Sequence, residues 1–205
     1  MGDDIFERTN SPLLIMLSGT AGAGKDSVIR RMKERDIPFA FVVTVTSRVP
    51  RPDEVHGQDY FFVSESEFQE MIREDELLEH ALVYNQHKGI PKQQVREALA
   101  SGKDVILRVD VQGVETIRRQ CPQAVAIFLT ASSKEELARR LFRRGADTAE
   151  QVALRLRTAY EEMKRIPEYD YVVVNADGRL DETVDTIAAI IQAEHARAIP
   201  RRVTL

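Results

Sequence analysis

Apolar and polar positions alternate along the chain in blocks rather than residue by residue. Apolar runs predict buried strands at residues 13–17, 39–45, 105–107, 124–129 and 171–174, and Thr44 is the one polar residue among them. Strands without polar alternation are typical of a parallel sheet that is covered by helices on both faces. The segments between these runs have helical spacing, so the order of elements predicts an α/β fold.

Helix signals lie between the predicted strands. Val28, Ile29 and Met32 follow the first run at helical spacing, and a similar series near the C-terminus predicts another helix with one buried face. That series consists of Val184, Ile187, Ala188 and Ile191. The pattern of a capping box, a Ser or Thr three positions before a Glu or Gln, begins at Ser64, Ser132 and Thr148.

The alternation of strands and helices stops between about residues 44 and 99. We interpret this stretch as an insert between two strands of the main sheet, which leaves a core of about residues 11–43 and 100–195. The basic stretch at about residues 139–155 predicts a small lid. A chain of 205 residues is long enough for a single domain with these additions, but not for two independent cores.

Composition excludes several classes of protein. Cys121 is the single cysteine, which excludes an internal disulfide framework and indicates a reducing compartment, the cytoplasm. The net charge of −4 predicts no general binding of nucleic acid or of an anionic membrane. The longest apolar run is much shorter than a membrane span. A monomer and a homodimer are both compatible with this composition.

A glycine-rich loop stands between the first predicted strand and the first predicted helix. It consists of Gly19, Thr20, Ala21, Gly22, Ala23, Gly24 and Lys25. Glycines allow successive backbone N–H groups to converge on a phosphate, the helix N-terminus adds positive potential, and the lysine adds a full charge. Because the loop follows a buried strand and opens a helix, we interpret it as a nucleotide phosphate loop rather than a plain glycine turn.

The two residues after the lysine, Asp26 and Ser27, depart from the usual loop. There, a Ser or Thr hydroxyl directly follows the lysine and binds Mg²⁺. A carboxylate is also a good ligand for a hard cation, so Asp26 is a candidate magnesium ligand. An acidic residue in the first turn of a helix is equally favoured by the helix dipole without any metal. Both interpretations fit the sequence.

A second cluster follows the second predicted strand. Arg48, Arg51 and Tyr60 offer two guanidinium groups and a phenol, which can surround a phosphate with charge-assisted hydrogen bonds. Taken alone, these residues also fit a solvated loop with surface arginines. Beside a phosphate loop, a second anion site indicates an enzyme that transfers a phosphoryl group to a phosphorylated acceptor.

The residues of this cluster resemble the guanylate kinase family. The family pattern T-x-R-x-P-R-x-x-E-x-x-G-x-x-Y is matched from Thr46 to Tyr60. The resemblance extends over roughly residues 13–194, and its further matches include Glu79, Asp110, Arg140, Arg144, Arg155 and Asn175. It implies a P-loop nucleoside-monophosphate-kinase fold, with a GMP-binding insert and a lid added to the parallel core.

The resemblance also implies an activity, the ATP-dependent and Mg²⁺-assisted phosphorylation of GMP, and of dGMP, to GDP in purine nucleotide metabolism. On the ATP side it implies that the loop, Lys25, Arg140 and Asn175 bind the nucleotide, and that Arg144 and Arg155 cover the transferred phosphoryl group. Asn175 also fits a structural asparagine at the end of a strand. No general base is expected, because the acceptor phosphate is already an anion.

On the GMP side, the resemblance implies that Arg48, Arg51 and Tyr60 hold the acceptor phosphate. A carboxylate at Glu79 accepts from the N1–H and N2–H groups of guanine and disfavours adenine, which carries an acceptor at N1. Thr44 is the candidate donor to guanine O6. Asp110 follows a predicted strand and is a candidate for steadying Mg²⁺ or the acceptor.

Three residues depart from the family pattern. Lys88 stands in place of a tyrosine that contacts the acceptor phosphate, and it can supply a compact cation there. Ile90 replaces a hydroxyl residue and cannot make its contact with the guanine edge. Arg108 stands two positions before Asp110, where an acidic residue is common. One wall of the expected site is therefore kept and the other is altered.

Two other functions remain open at this point. Kinases of ribose 1,5-bisphosphate resemble the chain at residues 24–27, Gly-Lys-Asp-Ser, which accounts for Asp26 but not for Arg48 or Glu79. Guanylate kinase-like domains of scaffold proteins bind phosphopeptides in the acceptor cleft without catalysis. Those domains usually lack a working phosphate loop, whereas Lys25 and the lid arginines are present here.

Overall fold

A computed structural model describes residues 11–83, 86–142 and 149–205. The strands are β1 (Leu14–Gly19), β2 (Ala40–Phe41), β3 (Val45–Thr46), β4 (Phe61–Phe62), β5 (Leu77–Val83), β6 (Gln86–Pro91), β7 (Val105–Arg108), β8 (Val125–Thr130) and β9 (Tyr171–Val174). The helices are α1 (Lys25–Glu34), α2 (Glu65–Arg73), α3 (Lys92–Ala100), α4 (Val111–Gln120), α5 (Lys134–Phe142), α6 (Ala149–Met163) and α7 (Leu180–His195). A short 3-10 helix, Ile166–Glu168, precedes β9.

The main sheet has five strands in the order β2-β7-β1-β8-β9, and all four pairings are parallel. β1 therefore lies in the centre, with β7 on one side and β8 on the other. In a parallel sheet of this kind, ligands bind beyond the carboxyl ends of the central strands. The glycine-rich loop lies at that end of β1, next to the ends of β7 and β8.

Residues 13–17, which comprise Leu13 and the first four residues of β1, alternate between two separate hydrophobic clusters. Leu13, Ile15 and Leu17 pack on one side with the buried faces of α1 and α7. Leu14 and Met16 pack on the other side with residues of α3 and α4. The uninterrupted apolar run thus has the predicted cause, because helices cover both faces of the sheet. The predicted α/β class is confirmed.

A second sheet, with strands in the order β4-β3-β6-β5, lies within the predicted insert. It mixes a parallel pair, β3 with β4, and antiparallel pairs, β3 with β6 and β5 with β6. Its own small apolar cluster includes Val45, Phe68 and Leu77. The bounds proposed for the insert, the core and the lid stay predictions, and residues 143–148 of the lid lie outside the described residues.

The prediction of one strand over residues 39–45 is wrong. β2 pairs with β7 in the main sheet, whereas β3 pairs with β4 and β6 in the second sheet. The chain crosses from one sheet to the other at residues 42–44. An apolar run shows that backbone is buried, but it does not show against which partner.

The capping-box predictions have different outcomes. The box at Ser64 is confirmed, since Ser64 Oγ accepts from the Glu67 N–H at 3.2 Å and the Ser64 N–H donates to Glu67 Oε2 at 2.6 Å. The box at Ser132 is wrong by one position. Ser133 is the residue that accepts from the helix backbone, through the Glu136 N–H at 3.1 Å. Thr148 lies outside the described residues.

Candidate active site

The glycine-rich loop joins the end of β1 to the first turn of α1, as predicted. Gly19 and Gly24 have φ angles of 133° and 95°, in the region that favours glycine. A Cβ atom on Gly19 would lie 2.0 Å from the backbone oxygen of Leu129. One on Gly24 would lie 2.4 Å from Nδ2 of Asn175. The back of the loop is therefore closely packed, and its open side presents the N-terminus of α1, which suits an anion.

Asn175 and Arg140 lie behind the loop and hold it in place. Asn175 Nδ2 donates to the Ala23 carbonyl oxygen at 2.9 Å, while its Oδ1 accepts from Thr183 Oγ1 at 3.1 Å. Arg140 donates to the same Ala23 oxygen at 3.3 Å and to the Asn175 carbonyl oxygen at 2.7 Å. Neither side chain is part of the cleft wall described below. Their predicted contacts with ATP stay predictions, and the bonds seen here support the loop.

Lys25, the first residue of α1, folds back over the loop. Its ammonium group donates to the carbonyl oxygens of Gly19 at 2.6 Å and Thr20 at 3.1 Å. Burial lowers the pKa of Lys25, and the negative charges of Glu162 and Asp26 oppose that shift. A phosphate group would replace the two carbonyl oxygens with a far better partner for the ammonium.

Glu162, on α6, was not predicted from the sequence. In the described part of the chain its Oε2 atom is buried without a hydrogen-bond partner. Burial raises the pKa of its carboxyl group to about 6, while the charge of Lys25 and the backbone N–H of Ala21 hold the pKa down. α6 thus brings a carboxylate to the phosphate loop next to the lysine. No local pattern in the sequence distinguishes this glutamate from its exposed neighbour Glu161.

Asp26 forms an ion pair with Arg108, which stands at the end of β7. The Arg108 guanidinium donates from Nη1 to Asp26 Oδ1 and from Nη2 to the Asp59 carbonyl oxygen at 3.1 Å. The Arg108 side chain is only 13% exposed, whereas that of Asp26 is 62% exposed. The sequence identified Asp26 as a departure from the usual phosphate loop and Arg108 as a departure from the family pattern, but it did not predict that they pair.

Arg48 of the second cluster forms an ion pair with Glu54. The two terminal nitrogens of Arg48 donate to the two carboxylate oxygens of Glu54 in a bidentate pair, which is nearly buried. The Arg48 hydrogen bond is the largest contribution that lowers the pKa of Glu54. Glu54 also accepts from the Arg51 N–H at 2.9 Å. It therefore fixes the loop that carries both arginines, while the Arg51 side chain stays exposed.

Three cationic side chains surround the ring of Tyr60. The Arg108 and Arg48 guanidinium carbons lie 4.4 and 4.8 Å from its centroid, and Lys88 Nζ lies 5.9 Å away. Cations at these distances are attracted by an aromatic face. Burial, and then the charge of Arg108, lower the pKa of Lys88. The structure thus brings predicted acceptor-side residues together with Arg108, and it concentrates positive charge in one place.

A pocket beside this cationic group is lined by Thr44, Glu79 and Ile90. In the described residues, Thr44 Oγ1 is buried and has no hydrogen-bond partner. Glu79 is 7% exposed, and burial, followed by the charge of Asp110, raises its pKa to about 8. An unpartnered hydroxyl and a buried carboxyl group are what a base with a hydrogen-bonding edge requires.

The carboxyl group of Glu79 is packed against the first turn of α4. Asp110 is the N-cap of this helix, and its Oδ1 accepts from the Gly113 N–H at 2.8 Å. A Cβ atom on Gly113 would lie 2.9 Å from the Glu79 carboxyl carbon. Glycine at this position therefore makes the room that the Glu79 carboxyl group occupies, and Asp110 orients the turn against which it packs.

The phosphate loop and the second cluster line one continuous cleft. Its wall on the loop side includes Gly19, Ala21, Gly22, Gly24, Lys25 and Asp26, with Arg155 and Glu162 from α6. Its wall on the side of the second sheet includes Thr44, Arg48, Arg51, Tyr60, Glu79 and Lys88, with Arg108 from the end of β7 and Asp110 from the N-cap of α4. The two predicted anion sites thus face each other.

Some predicted site residues are placed elsewhere. Thr20, Ala23 and Ser27 are not part of the cleft wall, although they belong to the loop or adjoin it. Arg144 lies outside the described residues, so its predicted role at the transferred phosphoryl group stays a prediction. In the described residues there is no cluster of three His, Cys, Asp or Glu side chains that could hold a metal ion.

Comparison with known proteins accounts for this arrangement. A family model described as guanylate kinase matches residues 11–194. The chain belongs to the guanylate kinase family. A guanylate kinase of Caldanaerobacter subterraneus subsp. tengcongensis is 42% identical to it, over 90% of this chain and 89% of that protein. Rice guanylate kinase 2, named as chloroplastic/mitochondrial, is 48% identical over 95% of this chain and 68% of the rice protein.

A solved structure of a family member shows the same fold. The crystal structure of the guanylate kinase from Anaplasma phagocytophilum superimposes with a TM-score of 0.75 at 29% identity. The match covers 92% of this chain and 89% of that one. The parallel sheet with helices on both faces is therefore a guanylate kinase fold. No helix in the described ranges has the length and apolar character that crossing a bilayer requires.

Proposed function

We propose that this guanylate kinase family member transfers the γ-phosphoryl group of ATP to GMP, and also to dGMP, producing ADP and GDP or dGDP. One observation carries the proposal. The cleft joins a phosphate loop to a second cationic cluster that adjoins a pocket suited to a hydrogen-bonding base. An enzyme that binds two phosphate-bearing substrates face to face requires both sites in one cavity.

On the donor side, glycines at positions 19 and 24 let the loop pack closely against Leu129 and Asn175, so that its other side, with the α1 N-terminus, is open to the phosphates of ATP. We assign the β- and γ-phosphates to the α1 N-terminus and to Lys25. The Lys25 ammonium then exchanges its hydrogen bonds to the two carbonyl oxygens for hydrogen bonds to the phosphates. Arg155, on the loop-side wall, is assigned to the transferred phosphoryl group together with Arg144. The acceptor phosphate attacks as an anion, so the protein has to orient two polyanions, neutralise charge and exclude water.

On the acceptor side, Arg48, Arg51, Tyr60 and Lys88 are assigned to the GMP phosphate. The Glu79 carboxylate is assigned to the N1–H and N2–H donors of guanine, and Thr44 Oγ1 to O6. Support comes from the burial of both groups and from the absence of a protein partner for Thr44 Oγ1 within the described residues. Adenine has an acceptor at N1 and no N2–H group, so it offers Glu79 neither of the two donors that guanine provides.

Mg²⁺ accompanies ATP in guanylate kinases generally, and we expect it to enter with the nucleotide. The residues of this chain do not fit a metal ion held by the protein at the loop. The carboxylate of Asp26, the predicted ligand, is engaged by the Arg108 guanidinium. We therefore assign no step of the reaction to a metal bound by Asp26.

The two other functions are not favoured. A ribose 1,5-bisphosphate acceptor would have no use for the buried carboxyl group of Glu79 beside Thr44. A phosphopeptide-binding domain would have no use for the packed glycine loop and for Lys25 above it. The relatives include a rice protein named for chloroplasts and mitochondria as well as bacterial proteins, so a cytoplasmic location stays a prediction.

The proposal is tested by offering GMP, dGMP, AMP and ribose 1,5-bisphosphate as acceptors with ATP and Mg²⁺, and measuring release of ADP. We expect turnover with GMP and dGMP, and AMP slower by about 10²-fold or more because adenine lacks the two N–H donors that Glu79 accepts from guanine. The variant Lys25→Ala, purified in the same way, shows how much rate comes from contaminating kinases. Faster turnover with ribose 1,5-bisphosphate, or none with any acceptor, would overturn the proposal.

A further inference from the structure

Arg108 is the side chain with which this inference is concerned. Its guanidinium pairs with Asp26, in the first turn after the phosphate loop, and donates to the carbonyl oxygen of Asp59 in the second-sheet segment. It also lies over the ring of Tyr60, 4.4 Å from the centroid. Arg108 therefore contacts the donor side and the acceptor side of the cleft at once, at the level where a phosphoryl group would pass between them.

The positions of Asp26 and Arg108 have a known use in phosphate-loop enzymes. There, Mg²⁺ is held by the hydroxyl residue that follows the loop lysine and by an acidic residue at the end of a nearby strand. In this chain the first position is Asp26, and Arg108 ends β7, which is paired with β1. An ion pair occupies the place where other phosphate-loop enzymes build a metal site. This is the misfit between the residues and a protein-held metal.

We propose that Arg108 contacts the transferred phosphoryl group and supplies, as a fixed guanidinium, positive charge that a protein-held Mg²⁺ would otherwise bring to this point. The proposal rests on the phosphoryl transfer proposed above. A guanidinium carries five N–H donors in a planar fork, so Arg108 can keep Asp26 and Asp59 and still donate to a phosphoryl oxygen. It never loses its charge at physiological pH, unlike a lysine in the same place.

The partners of Arg108 explain how such a charge is kept there. A buried cation needs a nearby anion, and Asp26 provides one without burying itself, since its side chain is 62% exposed. Tyr60 supports the guanidinium from the other side. Six cationic and four acidic side chains line the cleft, so its lining has an excess of positive charge that suits a polyanionic ligand.

The contribution of Arg108 to the reaction is electrostatic. The bond between the γ-phosphorus and the β,γ-bridging oxygen breaks, and its electron pair leaves with ADP. The bond between an oxygen of the GMP phosphate and the γ-phosphorus forms. No proton has to move for atoms and electrons to balance. Positive charge near the three equatorial oxygens lowers the barrier of such a transfer, as arginine does in other phosphoryl-transfer enzymes.

The first test separates contact with the substrate from mere neutralisation of Asp26. Three variants are compared: Arg108→Gln, Asp26→Asn, and both together. We expect Arg108→Gln to lower kcat by about 10²-fold or more, with KM for ATP and for GMP changed only a few-fold. The loss of kcat from Asp26→Asn to the double variant should be the same fold-change as the loss from the wild type to Arg108→Gln. If the double variant instead regains the rate of Asp26→Asn, Arg108 only neutralises Asp26 and the proposal fails.

The second test measures binding without turnover. Calorimetry in EDTA gives the affinities for ATP and ADP in the absence of any metal. We expect the wild type to prefer ATP, and Arg108→Gln to reduce the ratio of the two affinities by about tenfold, because the γ-phosphoryl contact is lost. Arg73→Gln, at an arginine that is 70% exposed on α2, is the matched control and should keep the ratio.

An unchanged ratio in Arg108→Gln would overturn the proposal. This readout does not involve the acceptor, so it remains informative even if the wild type fails to phosphorylate GMP. Arg108→Lys covers the case in which Arg108→Gln does not fold, as judged by circular dichroism. Lysine keeps the charge without the fork, and the ratio should then lie between that of the wild type and that expected for the glutamine variant.

Discussion

Glu79 is the residue whose ionisation depends most on whether the site is filled. Burial, and then the negative charge of Asp110, raise its pKa to about 8 in the ligand-free protein. The group is therefore mostly protonated at pH 7. Guanine presents two adjacent donors, N1–H and N2–H, and accepting both of them with the two carboxyl oxygens calls for the ionised form, because the protonated oxygen would place its own hydrogen against one of the donors. Binding of GMP thus has to be accompanied by loss of the Glu79 proton.

We predict that GMP binding at pH 7 releases close to one proton from Glu79. Below a pKa of about 8, the affinity should rise with pH, because fewer molecules have to lose that proton first, and the rise should level off above it. Calorimetry in buffers of different ionisation enthalpy measures the number of protons released.

Glu79→Gln is the control, since its amide does not titrate. GMP itself carries a phosphate that titrates near neutral pH, and the same phosphate contributes equally in wild type and variant. The difference between the two proteins is therefore the contribution of Glu79. Equal proton release by both proteins would show that Glu79 is already ionised in the empty site, or is not the group that meets the base.

At the scale of single residues, the sequence predicted the lining of the cleft better than its pairing. Lys25, Arg48, Tyr60 and Glu79 all line the cavity, as expected of members of one site. The pair of Asp26 and Arg108 was not predicted, although both residues were noticed as unusual. Their separation along the chain is 82 positions, and no local rule of spacing connects residues so far apart.

Helix α6 contributes more to the site than its sequence suggests. It carries Arg155 and Glu162 into the cleft wall, seven positions apart and therefore on one face of the helix. Glu162 faces the loop, where its charge is the largest favourable contribution to the protonated form of Lys25. The helix that follows the predicted lid is thus coupled electrostatically to the phosphate loop.

We predict that Glu162→Gln lowers the pKa of Lys25 further, because it removes the charge that opposes the effect of burial. Lys25 has to be protonated to hold phosphates, so activity is lost as pH rises through its pKa. The alkaline limb of kcat/KM for ATP, measured at saturating GMP, should move to lower pH by roughly one unit.

Glu161→Gln is the matched control for this variant. Glu161 is the preceding residue, is 70% exposed and pairs with Lys164 at 2.7 Å. Its replacement should leave the alkaline limb where it is in the wild type. A limb in Glu162→Gln that coincides with that of the wild type would show that the charge of Glu162 does not reach Lys25.

Strands and helices were predicted well where the sequence of one segment determines them. They were predicted poorly where the outcome depends on a choice between two partners or two registers. The runs at residues 105–107 and 124–129 form strands that are buried on both faces. The run at residues 171–174 also forms a strand, but Val172 and Val174 are about half exposed, so the predicted burial holds on only one face of β9. The run at residues 39–45 is divided because its two halves find different partners. The predicted cap of α5 was Ser132, whereas the observed one is Ser133. Two serines precede two glutamates, Glu135 and Glu136, so the capping-box spacing is satisfied from either serine.

For the whole molecule, the arrangement of the two halves of the cleft is the main result. The sequence predicted two anion sites, but it contained no information on the distance or angle between them. That relation follows from the position of the second sheet beside the carboxyl ends of the main sheet, which depends on long-range packing. The continuous cleft is therefore a finding of the structure.

A ligand that spans the cleft should bind to both halves together. We predict that adenosine joined to guanosine through an oligophosphate chain binds more tightly than either ADP or GMP, because binding of one end raises the effective concentration of the other. It should displace both nucleotides, with one molecule bound per chain in calorimetry. The same compound with adenosine at both ends should bind more weakly, since Glu79 rejects the second adenine.

Displacement of ADP alone, with GMP still able to bind, would contradict this prediction. It would mean that the linker cannot follow the cleft from the loop to the base pocket. The analogous compound with guanosine at both ends fills the guanine pocket in either orientation. It therefore distinguishes a linker that does not fit the cleft from a donor site that binds its nucleoside weakly.

The passage of the chain between its two sheets has a mechanical consequence. The chain leaves the main sheet after β2 and enters the second sheet at β3, so residues 42–44 are one of its two joints, and the return lies between β6 and α3. Thr44, which lines the cleft beside Glu79, is part of the first joint. A purine that binds next to Thr44 contacts the segment of backbone that connects the two sheets and sets the angle between them. The same short stretch of chain therefore takes part both in recognising the base and in setting the angle between the two sheets.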